Sequence, residues 1–136
     1  MSLSPTFVLD ASALLAYLQG EAGSDLVATA LTQGTALSAV NWAEVLSKLL
    51  ERGKQPQDVV AQLRDLGLLS QAIQIYPVEE ALALTIAELL PKTRAMGLSL
   101  GDRACLALAL KLNLPALTSD KVWRNVDVGV SVRLIR

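Results

Sequence analysis

The stretch Val8–Leu18, VLDASALLAYL, decides the fold, because it passes directly from a strand pattern into a helix pattern. The residues TFVLD, which follow Pro5, are apolar and rich in strand-forming side chains, and they predict a short buried strand. The next residues, SALLAYLQG, predict a helix with Ser12 as a candidate N-cap and Gly20 as its stop. Asp10 lies at this junction, and no Lys or Arg precedes Lys48 to balance its charge.

The rest of the chain alternates between helix and strand patterns. Apolar spacing typical of helices predicts them at residues 23–34, 41–53, 55–67, 79–97 (broken at Pro91) and 98–113. Strand patterns are found at residues 35–40, 72–78, 114–120 and 130–136. This alternation predicts an α/β fold with a mainly parallel central sheet flanked by helices. No linker or repeat interrupts it, so residues 1–136 are expected to form a single domain.

The residue types that are missing exclude several kinds of chemistry. The chain has no histidine, which removes the imidazole base, His-dependent nucleophiles and histidine metal ligands. It has one cysteine, Cys105, so neither an internal disulfide nor a thiolate zinc cluster can form. Cys105 lies in the apolar run CLALAL and is predicted to belong to the core.

The charge balance gives little support to general binding of nucleic acid. Twelve basic and thirteen acidic residues give a formal charge of -1, so only a local basic patch could serve that purpose. The N-terminus lacks the basic and apolar regions of a secretory signal, and no apolar segment approaches the ~18 residues that span a bilayer. We therefore expect a soluble, cytoplasmic protein that does not contact membranes.

Four acids stand at the ends of predicted elements. Asp10 and Asp120 follow strand patterns, while Glu44 and Asp102 fall in the first turns of helices that follow LSAVNWAE and GLSLGD. In an open α/β sheet, a crevice lies outside the carboxyl ends of the strands, and the N-termini of helices open towards it. The topology therefore predicts that the four carboxylates meet there.

Each of these acids also has a purely structural interpretation. Asn41 with Glu44, and Ser99 with Asp102, have the spacing of a helix-capping pair. Asp120 follows Thr118 and Ser119 and has the features of a turn or N-cap residue. Taken singly, these acids are compatible with either role.

Taken together, the acids favour a metal site. Two like charges ~4 Å apart repel by about 4 kcal/mol at an effective dielectric constant near 20, so converging carboxylates bind protons or recruit cations. Ligands that are all oxygen atoms favour Mg²⁺ or Mn²⁺ over zinc. Magnesium needs few carboxylates and leaves room for a substrate phosphate, and its hydrolytic chemistry requires no histidine.

The blocks that contain these acids resemble, in order, the four motifs of the PIN-domain family, and in particular the VapC-type toxins of toxin–antitoxin pairs. VLDASALLAYL is similar to the first motif, LSAVNWAEV to the second, LSLGDRACLALA to the third and LTSDKVW to the fourth. The resemblance covers nearly the whole chain, and its third block is the most specific.

The resemblance implies a Mg²⁺- or Mn²⁺-dependent endoribonuclease that hydrolyses RNA phosphodiesters with metal-activated water, leaving 5′-phosphate and 3′-hydroxyl ends. The residues that match the family's metal-binding and catalytic acids are Asp10, Glu44, Asp102 and Asp120. Ser12 and Thr118 match small polar positions beside them. The family's toxins usually form homodimers, and a cognate antitoxin silences them by inserting a C-terminal segment, often with an arginine, into the groove.

A division of labour among the acids follows as a hypothesis. Asp10 and Asp102 would hold the principal metal, and Asp120 would support it or a second ion. Glu44 would ligate through water or help to accept a proton from the attacking water. Asp127 is an acid that could lie near the site, but a solvated loop position explains it equally well, so it stays outside the principal set.

The basic residues near the motifs have two interpretations. Arg103, Lys121 and Arg124 could contact RNA phosphates, or they could be ordinary exposed charges. Lys48 lies four residues after Glu44, a spacing that allows a helical ion pair.

The two tryptophans are weighed separately. Trp42 is predicted to be a core aromatic, whereas Trp123 is equally compatible with core packing and an interface. Since the chain has only five aromatic residues, recognition built mainly on base stacking is not expected.

Two other functions remain as alternatives. A non-catalytic PIN-fold protein could act through a partner, and Mn²⁺ binding with an RNA cleavage assay would distinguish it from a nuclease. Phosphatase or phosphoacceptor chemistry ranks lower, because DAS after the first strand lacks the second aspartate of a D-x-D pair.

Overall fold

A parallel sheet forms the centre of the computed structural model, which describes residues 3–136. In spatial order, its five strands within those residues are β3 (Ile73–Tyr76), β2 (Thr35–Ser38), β1 (Phe7–Leu9), β4 (Ala116–Thr118) and β5 (Val132–Leu134). Each strand is parallel to its neighbours. The predicted α/β fold with a mainly parallel sheet is confirmed. The predicted domain span begins at Met1 and Ser2, which lie outside the described residues.

Helices connect the strands. They are α1 (Ala11–Gln19), α2 (Ser24–Gln33), α3 (Ala39–Glu51), α4 (Pro56–Asp65), α5 (Glu80–Glu88), α6 (Leu90–Thr93) and α7 (Leu100–Leu112). Short 3-10 turns span Arg94–Met96 and Lys121–Asn125. The predicted break near Pro91 is confirmed, because α5 ends at Glu88 and Pro91 lies in the first turn of α6. No helix in residues 3–136 is long and apolar enough to span a membrane.

Local sequence determines where the helices that carry the acids begin. Asp10 caps α1 by accepting a hydrogen bond from the backbone N–H of Ala13, so the prediction that Ser12 is the N-cap is wrong. Gly20 ends α1 in the left-handed conformation, with φ 65°, as its predicted stop. Ser38 caps α3, so the prediction of a cap at Asn41 is also wrong.

The sheet is buried on both faces. Leu9, Leu37 and Leu117 are aligned across β1, β2 and β4 and pack on the side of α1 to α4. Their neighbours Val8, Ala36 and Ala116 face the opposite way and pack against α5 and α7. Since side chains alternate between the faces of a strand, even three-residue strands contribute to both cores.

The strand order creates the crevice expected for this topology. The chain passes from β1 to β2 and β3 on one side, and then crosses to β4 and β5 on the other side of β1. The order therefore reverses between β1 and β4, and ligands of open α/β sheets bind outside the carboxyl ends of strands at such a point. Asp10 directly follows β1, and Thr118 is the last residue of β4.

Candidate functional site

The four predicted acids line one cleft of about 210 Å³. Asp10 comes from the end of β1, Glu44 from α3, Asp102 from the first turn of α7, and Asp120 from the turn after β4. The remaining lining residues are Ala11, Ser12, Leu15, Asn41 and Lys48. The structure thus brings together side chains that span most of the sequence, and their catalytic roles stay predictions.

Asp10 is the buried member of the set, with 4% of its surface exposed. Its Oδ1 accepts hydrogen bonds from the backbone N–H of Ala13 at 2.8 Å and the hydroxyl of Ser12 at 2.7 Å. The hydroxyl of Thr118 donates to Oδ2 at 2.5 Å. The resemblance places Thr118 beside the acids, but this hydrogen bond joins residues 108 positions apart, and no local sequence pattern predicts it.

The same hydroxyls connect Asp10 to the turn that carries Asp120. The Ser12 hydroxyl oxygen accepts a hydrogen bond from the backbone N–H of Ser119 at 2.9 Å. The Thr118 hydroxyl oxygen accepts one from the backbone N–H of Asp120 at 3.0 Å. Each hydroxyl therefore donates to Asp10 and accepts from the turn, which fixes the start of α1 against the end of β4.

Glu44 is held by a neighbour on its own helix. The side-chain amide of Asn41 donates to Glu44 Oε1 at 2.7 Å. The ion pair that the spacing of Lys48 and Glu44 allows is not present. Lys48 pairs instead with Glu51 at 3.8 Å, which is the one salt bridge among the described residues. Asn41 lines the cleft and was not predicted as a site residue, although its spacing of three from Glu44 was the available signal.

Asp102 and Asp120 combine capping with a place in the cleft. Ser99 and Asp102 form the predicted capping box, in which Asp102 Oδ2 accepts from the backbone N–H of Ser99 at 2.9 Å. Asp120 Oδ1 accepts from the backbone N–H of Val122 at 3.0 Å. Within residues 3–136, these caps occupy one oxygen of each carboxylate, so capping does not exclude binding of an ion.

The predicted phosphate contacts lie outside this lining. Arg103 donates to the backbone carbonyl of Ile86 at 2.9 Å and lines a different groove with Leu100. Its placement does not support a phosphate contact at the acids. Lys121 and Arg124 are exposed on the 3-10 turn that follows Asp120.

The structure also places the remaining aromatic and acidic candidates. Trp123 is fully buried and Trp42 packs partly buried against the core, so both act in packing. Asp127 is exposed and is not among the residues that line the cleft.

The electrostatics of the cleft follow from burial and from the clustering of negative charge. Burial raises the pKa of Asp10 from 3.8 to about 6, the three hydrogen bonds oppose this change, and the charge of Asp102 adds to it. Burial also raises the pKa of the Cys105 thiol, with the charges of Asp10, Asp102 and Glu44 adding to the effect. Cys105 is therefore a core residue, as predicted, and not a thiolate nucleophile.

The carboxylate oxygens of the cleft are suitable ligands for a hard divalent cation, although they are not already arranged around a common point in the described part of the chain. All four acids are oxygen donors, and the buried one has no basic side chain in salt-bridge contact within residues 3–136. No group of three or more His, Cys, Asp or Glu side chains in those residues is arranged to hold a metal directly. Mg²⁺ suits such a site, since it binds through one or two carboxylates and keeps several waters.

The family model described as the PIN domain matches residues 7–129. A search of curated protein sequences finds no match.

Solved structures with a similar fold include proteins from toxin–antitoxin complexes. A toxin–antitoxin complex from Klebsiella pneumoniae matches with a TM-score of 0.70 and 20% identity, over 95% of this chain and 97% of that chain. DNA-bound VapBC from Salmonella typhimurium matches over the whole of both chains, with a TM-score of 0.69 and 13% identity. Mycobacterium tuberculosis VapC20, described as a Sarcin-Ricin loop cleaving toxin, has a TM-score of 0.69 and 18% identity over 92% of this chain and 98% of that chain.

The raised pKa of Asp10 predicts how stability depends on pH. Native Asp10 holds its proton more tightly than the unfolded chain does, so the free energy of unfolding of metal-free protein falls as the pH rises from about 4 to about 6. A shift of this size corresponds to about 3 kcal/mol. Urea denaturation across this range should show the decline in wild-type protein and a smaller one in Asp10→Asn. If the free energy of unfolding had the same pH dependence in the two proteins, Asp10 would not be its source.

Proposed function

The chain belongs to the PIN domain family, and on this premise we propose that it is a Mg²⁺- or Mn²⁺-dependent endoribonuclease that acts as the toxin of a toxin–antitoxin pair. The observation that carries the proposal is the convergence of four carboxylates on one cleft, with the buried Asp10 lacking a basic partner among the described residues. A cleft with this charge suits a cation that can in turn bind the phosphate of a substrate.

A divalent cation bound here would lower the pKa of a bound water and neutralise charge on the phosphoryl oxygens. In this proposal Asp10 and Asp102 hold the principal ion, since the charge of Asp102 already influences Asp10. Asp120 supports that ion or a second one from the adjoining turn. Glu44 would hold a water or accept its proton from its place in the same cleft.

Ser12 and Thr118 keep the buried carboxylate in place. Their hydroxyls approach Asp10 from α1 and β4, so together they bind both of its oxygens. Because each hydroxyl also accepts a backbone N–H of the following turn, movement of Asp120 would disturb Asp10. In this proposal the two hydroxyls play the part that hydrogen-bond partners of metal ligands play in other sites, by holding the Asp10 side chain in one orientation.

Lys48 is the best-placed contact for an RNA phosphate. It is the one basic residue among the described residues that line the cleft, and its side chain is 58% exposed. Its salt bridge with Glu51 is long and solvated, so it would compete weakly with a phosphate. Lys121 and Arg124, exposed on the turn beyond Asp120, are proposed as further phosphate contacts.

Recognition is proposed to depend on the RNA backbone. Trp123 is fully buried, and Trp42 packs partly buried against the core and lines a separate groove with Val60 and Arg64, so neither lies beside the acids to stack a base. The shape of a single-stranded segment and its phosphates are therefore the features that the cleft suits best.

The proposed partners follow from the family and from the similar structures. Those from Klebsiella and Salmonella are described as a toxin–antitoxin complex and as VapBC bound to DNA. We extend this to a cognate antitoxin for the present chain, whose binding would block the cleft, and to a homodimer as the assembled toxin. Because the proposed substrate is RNA, we also propose that the protein acts in the cytoplasm.

Replacing the ligands should separate catalysis from folding. Asp10→Asn and Asp102→Asn are each expected to reduce Mg²⁺-dependent cleavage of single-stranded RNA by about 100-fold or more, because supporting residues of metal sites alone contribute 10–100-fold. Asp127→Asn is the matched control, because this exposed acid is not among the cleft-lining residues, and it should keep wild-type activity. Full activity in both ligand variants would rule out the proposed roles.

Removing Lys48 should weaken RNA binding more than chemistry. Lys48→Ala is expected to raise KM with little change in kcat, and to reduce the slope of log affinity against log salt by about 1. Lys54→Ala serves as the control, since Lys54 is exposed beside a different groove. An unchanged salt dependence in Lys48→Ala, measured by steady-state kinetics and filter binding, would remove Lys48 from the RNA interface.

A further inference from the structure

Asn41 is a buried polar residue at the junction of α3 and α7, with 1% of its surface exposed. Its side-chain amide donates to Glu44 Oε1 at 2.7 Å and to the backbone carbonyl of Gly101 at 2.9 Å. Its Oδ1 accepts from the hydroxyl of Ser38 at 2.8 Å. Reversing the amide would place an oxygen against two acceptors, so these partners determine its orientation.

Gly101 provides the space that the Glu44 carboxylate occupies. A Cβ at Gly101 would collide with Glu44 Oε1 and would lie 2.6 Å from Cδ and 2.7 Å from Oε2. Gly101 is the second residue of α7, a helical position that does not itself require glycine. The Glu44 carboxylate occupies the space that a side chain at position 101 would need, which explains the glycine there.

The position also suits the negative charge of Glu44. The carboxylate lies at the first turn of the 13-residue helix α7, and the N-terminus of a helix carries a partial positive charge. Asp102 follows Gly101 directly, so whatever fixes Glu44 against Gly101 also fixes its place relative to Asp102.

We propose that Asn41 and Gly101 are positioning residues that set the Glu44 carboxylate beside Asp102, Asn41 by hydrogen bonding and Gly101 by leaving room. This inference rests on the proposed function, because it assigns their effect to metal binding in the same cleft. Asn41 connects the second and third sequence blocks, and its loss would let Glu44 leave its place in the cleft.

A purely structural role for Asn41 makes a different prediction. If Asn41 only joined two helices, its removal would lower stability, and the effect on metal binding would not depend on whether Glu44 is present. If it acts through Glu44, its removal should have no further effect on Mn²⁺ affinity once Glu44 is gone. A double-mutant cycle therefore distinguishes the two roles.

The test uses Asn41→Ala and Gly101→Ala, each alone and combined with Glu44→Ala. Gly101→Ala should fold normally, because the added methyl meets only the end of the Glu44 side chain, which can rotate out of the cleft, and alanine is compatible with a helix. Thr35→Val is the control, since it removes a buried hydrogen bond to the Ala72 carbonyl at the other end of β2. The measurements are Mn²⁺ affinity by titration calorimetry, thermal melting, and RNA cleavage.

We expect Asn41→Ala and Gly101→Ala to weaken Mn²⁺ binding about 10–100-fold, as removal of supporting residues does in metal sites. Thr35→Val should lower the melting temperature without changing Mn²⁺ affinity. In the Glu44→Ala background, neither substitution should weaken Mn²⁺ binding further.

Two results would overturn the inference alone, given a wild-type protein that binds Mn²⁺ and cleaves RNA. One is wild-type Mn²⁺ affinity in Gly101→Ala, and the other is an equal effect of Asn41→Ala with and without Glu44. Failure of the wild-type protein to bind Mn²⁺ would instead overturn the proposed function and this inference with it.

Discussion

The site depends on one constraint: the carboxylate of Asp10 is buried without a basic side chain in contact with it in the described structure. Removing a carboxylate from water destabilises its charged form, and hydrogen bonds from Ser12, Ala13 and Thr118 offset only part of that cost. The nearby charge of Asp102 adds to it. A divalent cation in the cleft would stabilise the negative charges of Asp10 and Asp102 together, and this would offset the cost of burying Asp10.

The fold makes this arrangement from short elements. Parallel strands of three or four residues end at the same edge, and the reversal of strand order between β1 and β4 opens a crevice there. Asp10, Asp102 and Asp120 begin helices or turns at that edge, and Asp102 and Asp120 cap with one oxygen each. Capping and ligation are therefore compatible roles of the same residue. Glu44 lies in the second turn of α3, so its predicted place in a first turn is wrong.

Much of this could be predicted from the sequence, because helix and strand periodicity is local and parallel strands bring their carboxyl ends together. The failures came where the outcome depended on a boundary or on a distant segment. The strand pattern at 35–40 gave way to α3 already at Ala39, which moved the cap from Asn41 to Ser38. The family resemblance suggested Thr118 as a polar residue of the site, but its hydrogen bond to Asp10 depends on the pairing of β1 with β4, which no local pattern contains.

The basic residues illustrate a second limit on what the sequence can predict, which is the direction and the partner of a helical side chain. Arg103 follows Asp102 directly, but adjacent residues of a helix point in different directions, and Arg103 contacts α5 instead of the cleft. Lys48, three residues before Glu51 and four after Glu44, had two helical partners available, and spacing alone could not choose between them. Glu44 was already engaged by Asn41 and Gly101, which only the tertiary structure reveals.

The most direct test of the central claim is anomalous diffraction from crystals soaked in Mn²⁺. We expect an ion in the cleft with a carboxylate oxygen of Asp10 and one of Asp102 within about 2.0–2.6 Å, and with waters completing its coordination. A cleft that stays empty at saturating Mn²⁺, or an ion bound elsewhere without Asp10, would contradict it.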